Sequence, residues 1–297
     1  MNLKQLEYFA RVAELESFTK ASHVLNIAQP ALSRQIRLLE IELHENLLLR
    51  NGRGVTTTEA GKILLEHSRG ILHQVARAKE DISKVRGSLS GGVALGLPPS
   101  MTKMITVPLS RAFQSGFPQA RLSISEGLSI TMQEWLLNGR LDIALLYHTN
   151  FSSDLEITPL LEEDLFFIQP ITTASISGPT QLRDIVKLPL IMPIRPNALR
   201  MLVETESSKI GEKPNIVLEI DGISTILDLI EDGAGFGILP KYAIKASGKE
   251  SHFQIRQITN LVGRLVIATS ARRTSTRIQT EAIKMIQDVV EKISSLP

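Results

Sequence analysis

Cysteine is absent from all 297 residues of the chain, which excludes disulfide bonds and thiolate metal sites and permits a reducing compartment. Long apolar runs are also absent, since stretches such as residues 143–147 are far too short to span a membrane. No apolar signal segment follows Met1, so we expect a cytoplasmic protein with no membrane partner. The hydrophobic fraction of 43% is that of a soluble globular protein with a sizeable core.

A strong excess of one charge sign is missing as well. The formal net charge is +2, which is too small to indicate nucleic-acid binding by itself. Residues 1–90 hold 13 Lys and Arg against 10 Asp and Glu, whereas the remainder holds 20 against 21. The small positive excess therefore lies in the first third of the chain. Any affinity for nucleic acid must come from a few well-placed contacts, doubled by dimerisation.

Constellations that would support metal binding, cofactor binding or catalysis are not found in the sequence. His148 and His252 are isolated, so we expect no metal site. Gly233, Gly235 and Gly237 follow a predicted helix and enter a strand, the reverse of a dinucleotide-binding fingerprint. No set of nucleophile, base and orienting group is apparent, and we predict neither a cofactor nor an enzyme.

The residues from Phe18 to Arg37 predict two short helices joined by a tight turn at residues 26–28. Apolar residues lie at helical spacing on both sides of that turn: Ala21, Val24 and Leu25 before it, and Leu32, Ile36 and Leu39 after it. Two such helices form a helix-turn-helix, a motif that places its second helix in the major groove of DNA. The alternative is an ordinary helical hairpin whose polar residues face water.

The second helix of this motif carries side chains suited to DNA. Pro30 fits the first turn of a helix, where its missing N–H is not needed. Gln29, Ser33, Arg34 and Arg37 are predicted on the face opposite Leu32, where they could read base edges and hold phosphates. No acidic residue falls between Gln29 and Arg37. We therefore predict that Gln29, Pro30, Ser33, Arg34 and Arg37 contact DNA.

Two short strands are predicted after this helix, at residues 47–50 and 55–57. They enclose the turn Asn51-Gly52-Arg53-Gly54, in which Gly and Asn tolerate positive φ. Beside a helix-turn-helix such a hairpin is a wing, and Arg53 at its tip would reach a minor groove or a phosphate. Outside that setting Arg53 would be an ordinary solvated turn residue.

A long helix is predicted from Thr58 to about Arg86, interrupted in composition only by Gly70. Apolar residues follow a heptad seam along its second half: Ile71, Val75, Ala78, Ile82, Val85 and Leu89. Such a seam needs a partner helix, and packing on the core of the same chain is the alternative. Residues 87–92 are rich in Gly and Ser and are predicted to form a hinge.

Beyond residue 91 strands alternate with helices, which predicts an α/β fold with a mostly parallel sheet. Predicted strands include residues 93–97, 121–126 and 141–147, followed by segments that cross into a second lobe. Helices are predicted near Thr102–Gln114 and Ser129–Leu137, and the last from about Thr276 to Ile293. The chain thus predicts a DNA-binding head followed by two α/β lobes.

The sequence as a whole resembles the LysR-type transcriptional regulators. The head matches in several stretches in one order, at residues 3–9, 17–22, 29–36, 38–40 and 53–61. The later part matches at residues 136–144 and 235–240. The resemblance implies a winged helix-turn-helix domain at 1–58, a linker helix and hinge at 59–90, and a two-lobed, periplasmic-binding-protein-like effector-binding domain at 91–297. Lobe I would comprise 91–162 and 268–297, and lobe II 163–267.

Effector contacts are expected in the cleft between the lobes, where helix N-termini offer free N–H groups. Ser100 and Thr102 open one helix of lobe I, and Ser129 and Thr131 open the next. The resemblance implies that these two positions contact the effector. Thr149 ends a strand near the crossover, and Arg195 of lobe II could close over an anion. We therefore expect these residues to bind a small-molecule effector, a small organic acid: Ser100, Thr102, Ser129, Thr131, Thr149 and Arg195.

The resemblance also implies how such a protein works. Its linker helices pair into a dimer, contacts between sensor domains make a homotetramer, and the partners are double-stranded DNA and RNA polymerase. Residues 53–65 and 161–166 resemble the branch that contains nitrogen assimilation control proteins. The resemblance to that branch allows a response through abundance rather than through a bound effector. A constitutive DNA-binding oligomer without effector therefore stays open as an alternative, as does a metabolite-binding enzyme whose hairpin merely packs.

Overall fold

The computed structural model of the chain describes residues 1–51, 54–84, 91–147, 152–171 and 178–294. The chain divides into two compact units. One comprises Met1–Ser88 with Asn138–Arg140, and the other comprises Leu89–Leu137 with Leu141–Pro297. The first unit is mainly helical and the second is α/β, as the sequence predicted.

The first unit begins with helices α1 (Leu3–Leu15), α2 (Phe18–Leu25) and α3 (Gln29–Leu43). Asn2 starts α1 with a reciprocal cap, because its side chain accepts from the Gln5 N–H at 3.0 Å and the Gln5 side chain accepts from the Asn2 N–H at 3.0 Å. The turn between α2 and α3 passes through Asn26, whose φ of 52° lies in the left-handed region that Asn tolerates. The predicted helix-turn-helix is confirmed.

The apolar faces of these helices meet in one core formed by Phe9, Leu32, Ile36 and Leu39, each almost fully buried. Burying each such side chain stabilises the fold by about 1.5–3 kcal/mol. The prediction that Val24 lies on the inner face of α2 is wrong, since its side chain is 61% exposed. Phe18, Ala21 and Ser22 are the buried residues there, and their spacing centres the inner face roughly a third of a turn away from Val24.

An antiparallel hairpin follows, made of β1 (Leu48–Asn51) and β2 (Gly54–Thr57). The Glu40 side chain holds it against α3, since Oε1 accepts from the N–H of Leu47 at 2.9 Å and of Leu48 at 3.2 Å. Helix α4 (Glu59–Lys84) then starts with Thr58, whose Oγ1 accepts from the Gly61 N–H at 2.9 Å. The predicted seam can be followed along Ile71, Val75 and Ala78; Val85 and Leu89 lie outside the described residues.

The second unit is built on a six-stranded sheet with flanking helices. Its first half contains β3 (Gly91–Leu97), α5 (Pro99–Gly116), β4 (Ala120–Glu126), α6 (Ser129–Leu137), β5 (Ile143–Tyr147) and the long strand β6 (Leu155–Pro170). Strand β3 pairs in parallel with both β4 and β5. Helix α5 begins three residues earlier than the predicted Thr102, because Pro99 suits its first turn.

The second half contains α7 (Leu182–Ile185), β7 (Leu190–Met192), α8 (Ala198–Lys209), β8 (Ile216–Glu219), α9 (Ile223–Glu231), β9 (Gly237–Pro240), α10 (Lys241–Ser247), β10 (Phe253–Ser270) and α11 (Arg277–Ser294). A 3₁₀ turn at Glu250–His252 precedes β10. Strands β7 and β8 form a separate parallel pair. The buried clusters do not follow this division along the chain, since the cluster around Leu95 and Ile143 includes Ile286 of α11, and the clusters around Phe167 and Ile226 combine residues of β6 with later elements.

The prediction of a mostly parallel sheet is wrong. The strand order is β4-β3-β5-β10-β6-β9, in which β10 pairs antiparallel with β5 and β6, and β6 pairs antiparallel with β9. Strands β6 and β10 pair from Phe253–Pro170 to Ser270–Leu155 with two register shifts, so they reach both groups of buried clusters. The polar residues 162–164 in the middle of β6 concealed this length in the sequence. The proposed lobe limits at 162/163 and 267/268 fall inside these two strands.

Candidate functional site

Helix α3 presents a polar face that the rest of the head does not cover. Arg34 and Arg37 are exposed together with Gln29 and Pro30, while Ser33 is half-buried. Neither arginine forms a salt bridge within the part of the chain that the structure describes. Both guanidinium groups are therefore available to phosphates or to guanine edges, which guanidinium binds in bidentate fashion.

The start of α3 is also suited to binding phosphate groups. Ala28 occupies the N-cap position and supplies no side-chain acceptor to the first turn. The first turn contains no acidic residue. Uncapped N–H groups at a helix start carry partial positive charge and bind phosphate oxygens. Arg53, which was predicted at the tip of the wing, lies outside the described residues.

The second unit contains a cavity lined from both of its halves. Its empty volume, counted to where it opens to solvent, is about 770 Å³. Ser100, Ser129 and Tyr147 line it from the first half, and Asn197 and Asp221 from the second. Most of the remaining wall is apolar: Pro98, Pro99, Leu128, Leu165, Pro193, Ala198, Leu199, Leu202, Ile223, Leu239 and Pro240. A mostly apolar cavity with a few convergent polar groups suits a small, largely apolar molecule.

A hydrogen-bonded chain lies along one wall of this cavity. The hydroxyls of Ser100 and Tyr147 are 3.0 Å apart, and the Tyr147 hydroxyl donates to Oε1 of Glu163. Burial raises the pKa of the Glu163 carboxyl to about 7, an effect that the hydrogen bond from Tyr147 partly offsets. Burial and the neighbouring Glu163 carboxylate raise the pKa of Tyr147 well above its ordinary value. Tyr147 is therefore a neutral hydrogen-bond donor at physiological pH.

Ser129 contacts the backbone of Tyr147, since its Oγ accepts from the Tyr147 backbone N–H at 3.1 Å. This contact ties the start of α6 to the end of β5. Ser100 and Ser129, both predicted as effector contacts, thus lie at the same cavity and touch the same residue. Their role with an effector stays a prediction.

The other predicted effector residues are placed differently. Thr102 and Thr131 lie half-buried on α5 and α6 but do not line the cavity, and the Thr102 hydroxyl donates to the Pro98 carbonyl at 3.2 Å. Arg195 points away from it into an ion pair with Glu204, at 2.8 Å between Nη2 and Oε2. Thr149 lies outside the described residues.

Glu163 was missed by the sequence reasoning, although its signal was present. Leu161, Glu163 and Leu165 alternate along one face of β6, and Leu165 is buried. Period-two alternation places Glu163 on the inward face with them. An acid at an inward position of a strand is a candidate for function because burying its charge is costly.

Neither a metal site nor a membrane span is found in the described parts of the chain. No group of His, Asp and Glu suited to a metal ion occurs among those residues. Over the same ranges no helix is long and apolar enough to cross a membrane.

Family models match both units of the chain. The model for the bacterial regulatory helix-turn-helix protein of the lysR family matches residues 3–62, and the model for the LysR substrate binding domain matches residues 86–290. The fold and its sites therefore define a DNA-binding transcription regulator with an effector-binding domain. The chain belongs to the LysR family, whose members are regulators and not enzymes.

Curated relatives place the chain near one branch of that family. It is 36% identical over 248 residues to the nitrogen assimilation regulatory protein nac of Escherichia coli K12, covering 83% of this chain and 80% of that protein. It is 34% identical to the protein of the same name from Klebsiella aerogenes, covering 96% of this chain and 94% of that protein. The predicted resemblance to the nitrogen assimilation control branch is confirmed.

Solved structures share the fold along nearly the whole chain. The crystal structure of CbnR, a LysR family transcriptional regulator, aligns with a TM-score of 0.72 at 21% identity, over 98% of this chain and 99% of that one. Full-length CbnR complexed with its target DNA aligns with a TM-score of 0.72 at 22% identity, over 97% of this chain and 100% of that one. At this identity the likeness shows the fold alone.

Proposed function

We propose that this chain is a bacterial, cytoplasmic transcription regulator that binds an interrupted palindrome through paired helix-turn-helix heads. Residues 1–58 form the DNA-binding domain, α4 and the hinge to residue 90 form the linker, and residues 91–297 bind the effector. Helix α3 enters the major groove, with Arg34 and Gln29 on base edges and Ser33 and Arg37 beside them. Arg53 contacts the minor groove or a phosphate.

The observation that carries this proposal is the exposed polar face of α3 over residues 29–37, which contains no acidic residue and has two arginines that form no salt bridge within the described residues. In a helical hairpin whose polar residues only face water, such a face would have no function. A DNA-binding helix requires it, because every acidic group would repel phosphates. Full-length CbnR, which shares the fold, forms a crystalline complex with its target DNA, and this supports the same use of the fold here.

Assembly belongs to the proposal as well. Ile71 on the predicted seam of α4 is 37% exposed, although it is apolar and lies in a helix of 26 residues. An exposed apolar stripe on a long helix is stabilised by pairing with a second helix. We propose that α4 forms the dimer, that two dimers form a tetramer, and that the DNA-bound tetramer contacts RNA polymerase.

The cavity favours effector gating over the constitutive alternative. The cavity is lined from both halves of the unit, mostly by apolar side chains with a few polar groups among them, as binding sites for small molecules are. A ligand that binds one arrangement of the two halves better than another shifts their equilibrium. We propose that this shift changes how the paired heads engage their half-sites.

Arg34→Ala tests the DNA-binding assignment. We expect the specific footprint on genomic fragments to be lost, because a bidentate base contact contributes about 1–3 kcal/mol per head and the loss at two heads lowers the affinity by about one and a half to four orders of magnitude. Arg183→Ala is the matched control, since Arg183 is an exposed helical arginine in the second unit. An unchanged footprint of Arg34→Ala, with the control also unchanged, would overturn the assignment.

A further inference from the structure

The buried carboxyl group of Glu163 has one oxygen without a hydrogen-bond partner. Glu163 is 6% exposed and lies opposite Gly263 in the pairing of β6 with β10. Its Oε1 accepts from Tyr147, but its Oε2 is fully buried and unbonded. Tyr147 and Gly263 both line the cavity, so this carboxyl lies directly behind the cavity wall. Buried polar atoms in this state are rare and call for a functional reason.

The direction of the hydrogen-bonded chain follows from the number of hydrogens available. While Glu163 is ionised, the single hydroxyl hydrogen of Tyr147 is donated to its carboxylate. The contact of 3.0 Å between the hydroxyls of Ser100 and Tyr147 must then use the hydrogen of Ser100. A serine hydroxyl that has donated its hydrogen offers only lone pairs to other groups. Ser100 therefore presents an acceptor to the cavity.

The side-chain charges around the cavity do not favour an anion at this point. Asp221 lines the wall as an acid, and Arg264 lines it while bonded to Glu162 at 2.9 Å between Nε and Oε1. Lys103 lines an adjoining space of about 1140 Å³ that is open to water, where its charge is screened. A carboxylate at Ser100 would bring its lone pairs against the lone pairs of the serine.

We infer that this cavity binds an uncharged, largely apolar molecule whose polar end donates an O–H or N–H hydrogen to Ser100. The inference deepens the proposed function by giving the chemical class of its effector. It differs from the small organic acid expected from the sequence. A carboxylate has no hydrogen to donate, so it can bind at Ser100 only when the direction of the hydrogen-bonded chain is reversed.

The direction of the hydrogen-bonded chain can reverse only when the Glu163 carboxyl is protonated. Protonated Oε1 would donate to Tyr147, Tyr147 to Ser100, and Ser100 to the carboxylate, so that one proton is taken up for each anion bound. The titratable groups that face Glu163 are Tyr147 from β5 and Tyr242 from α10, both neutral near pH 7 because burial and Glu163 raise the pKa of each. The neighbouring charges, Glu162 and Arg264, bond to each other. The pKa of Glu163, raised by burial to about 7, places the reversal in the neutral range.

Matched amides and acids test the inference. We would titrate the full-length chain by calorimetry with hexanamide and hexanoate, and with cyclohexanecarboxamide and cyclohexanecarboxylate, at pH 6 and pH 8. In each pair the two molecules have the same shape, and both acids stay ionised at these pH values. At pH 8 we expect each amide to bind at least tenfold more tightly than its acid. Amide affinity should be nearly independent of pH.

The acids should show proton linkage. Above the pKa of Glu163 their affinity should fall by up to tenfold per pH unit, and titrations in buffers of different ionisation enthalpy should report uptake of one proton. Glu163→Gln supplies a permanent N–H donor to Tyr147. In this variant acid binding should persist at pH 8 without proton uptake. Glu162→Gln, a change of the adjacent exposed acid, should behave as the parent chain does.

The outcomes separate this inference from the proposed function. Acids that bind the parent chain at pH 8 as tightly as their amides, without proton uptake, would overturn the inference. Failure of both amides to bind, while the melting temperature and DNA footprint are normal, would overturn it too. Neither result affects DNA binding through α3, which the Arg34→Ala footprint tests independently.

Discussion

At the scale of single residues, Gly61 is a position at which the first unit leaves no room for a side chain. A Cβ atom built there would lie 2.1 Å from the backbone carbonyl oxygen of Leu47. Backbone atoms cannot give way as the end of a flexible side chain can. The glycine at the start of α4 is therefore required by the close approach of the hairpin strand, and not by its φ angle.

Gly61→Ala should lower the stability of the head by about 2 kcal/mol, in the range of overpacked sites. Thermal unfolding of the full-length chain measures the effect as a lower first transition. Gly116→Ala is the control, because the Cβ at that position would meet only the flexible end of Met285, at 2.6 Å. Equal melting temperatures for the two variants would contradict the close approach of Gly61 to Leu47.

The stability of the second unit should depend on pH through Glu163. Its pKa is raised from 4.5 to about 7 on folding, so the folded chain retains a proton that the unfolded chain has lost. Stability from this group is present below pH 4.5 and is lost as pH rises through 7. Between pH 5 and pH 8 the loss should be about 2 kcal/mol.

Glu163→Gln should remove this slope, because the amide does not titrate. Urea unfolding of parent and variant at the two pH values measures the difference. Glu162→Gln should retain the slope of the parent chain. If the unfolding free energy changes equally between the two pH values in the parent chain and in Glu163→Gln, then Glu163 titrates near its ordinary pKa and the prediction is wrong.

At the scale of elements, the periodicity of apolar residues predicted those features that depend on nearby residues in the sequence, such as the starts of helices. The helix starts near Ser129, Asn197 and Thr276 follow from capping residues and apolar spacing, and the structure has them there. Long-range pairing was not predictable in the same way. The length of β6 depends on its register with β10, and the acids 162–164 interrupt the apolar pattern at the point where both halves share the strand.

The same distinction explains the candidate site. Ser100 and Ser129 were predicted from their places at helix starts and from the family resemblance, whereas Thr102 and Thr131, predicted on the same grounds, do not line the cavity. Arg195 was predicted on charge alone, but its partner Glu204 comes from the next helix, and sequence spacing does not show which way a long side chain turns. The hydrogen-bonded chain from Ser100 to Glu163 joins three separate strands and helices, so only the three-dimensional structure could assemble it.

The exposed seam of α4 should determine assembly. Ile71→Glu places a charge on the seam, and we expect the dimer to weaken by at least tenfold because a buried unpaired charge is costly at a helix pair. Sedimentation velocity over a range of concentrations measures this. Ala76→Glu is the control, since Ala76 is exposed on the same helix outside the seam. A change in mass for both variants alike would mean that α4 pairs along another face.

At the scale of the whole molecule, the small net charge of +2 makes the number of phosphate contacts measurable. Binding constants fall with salt concentration on a logarithmic plot, with a slope of about −0.9 for each phosphate neutralised. A chain with a large diffuse positive charge would hide the loss of one contact. In this chain each exposed arginine of the head contributes a sizeable part of the total salt dependence of binding.

Arg37→Ala should therefore report how many heads bind at once. If the two heads of a dimer occupy both half-sites, the variant loses two phosphate contacts and the slope should become shallower by about 1.8. If only one head is engaged, the slope should become shallower by about 0.9, which is half of that change. Arg34→Ala should reduce affinity most for the preferred sequence, whereas Arg37→Ala should weaken all sequences alike, because phosphates carry no sequence information. A slope unchanged by Arg37→Ala would remove this residue from the interface and leave the phosphate contacts to the wing and to the start of α3.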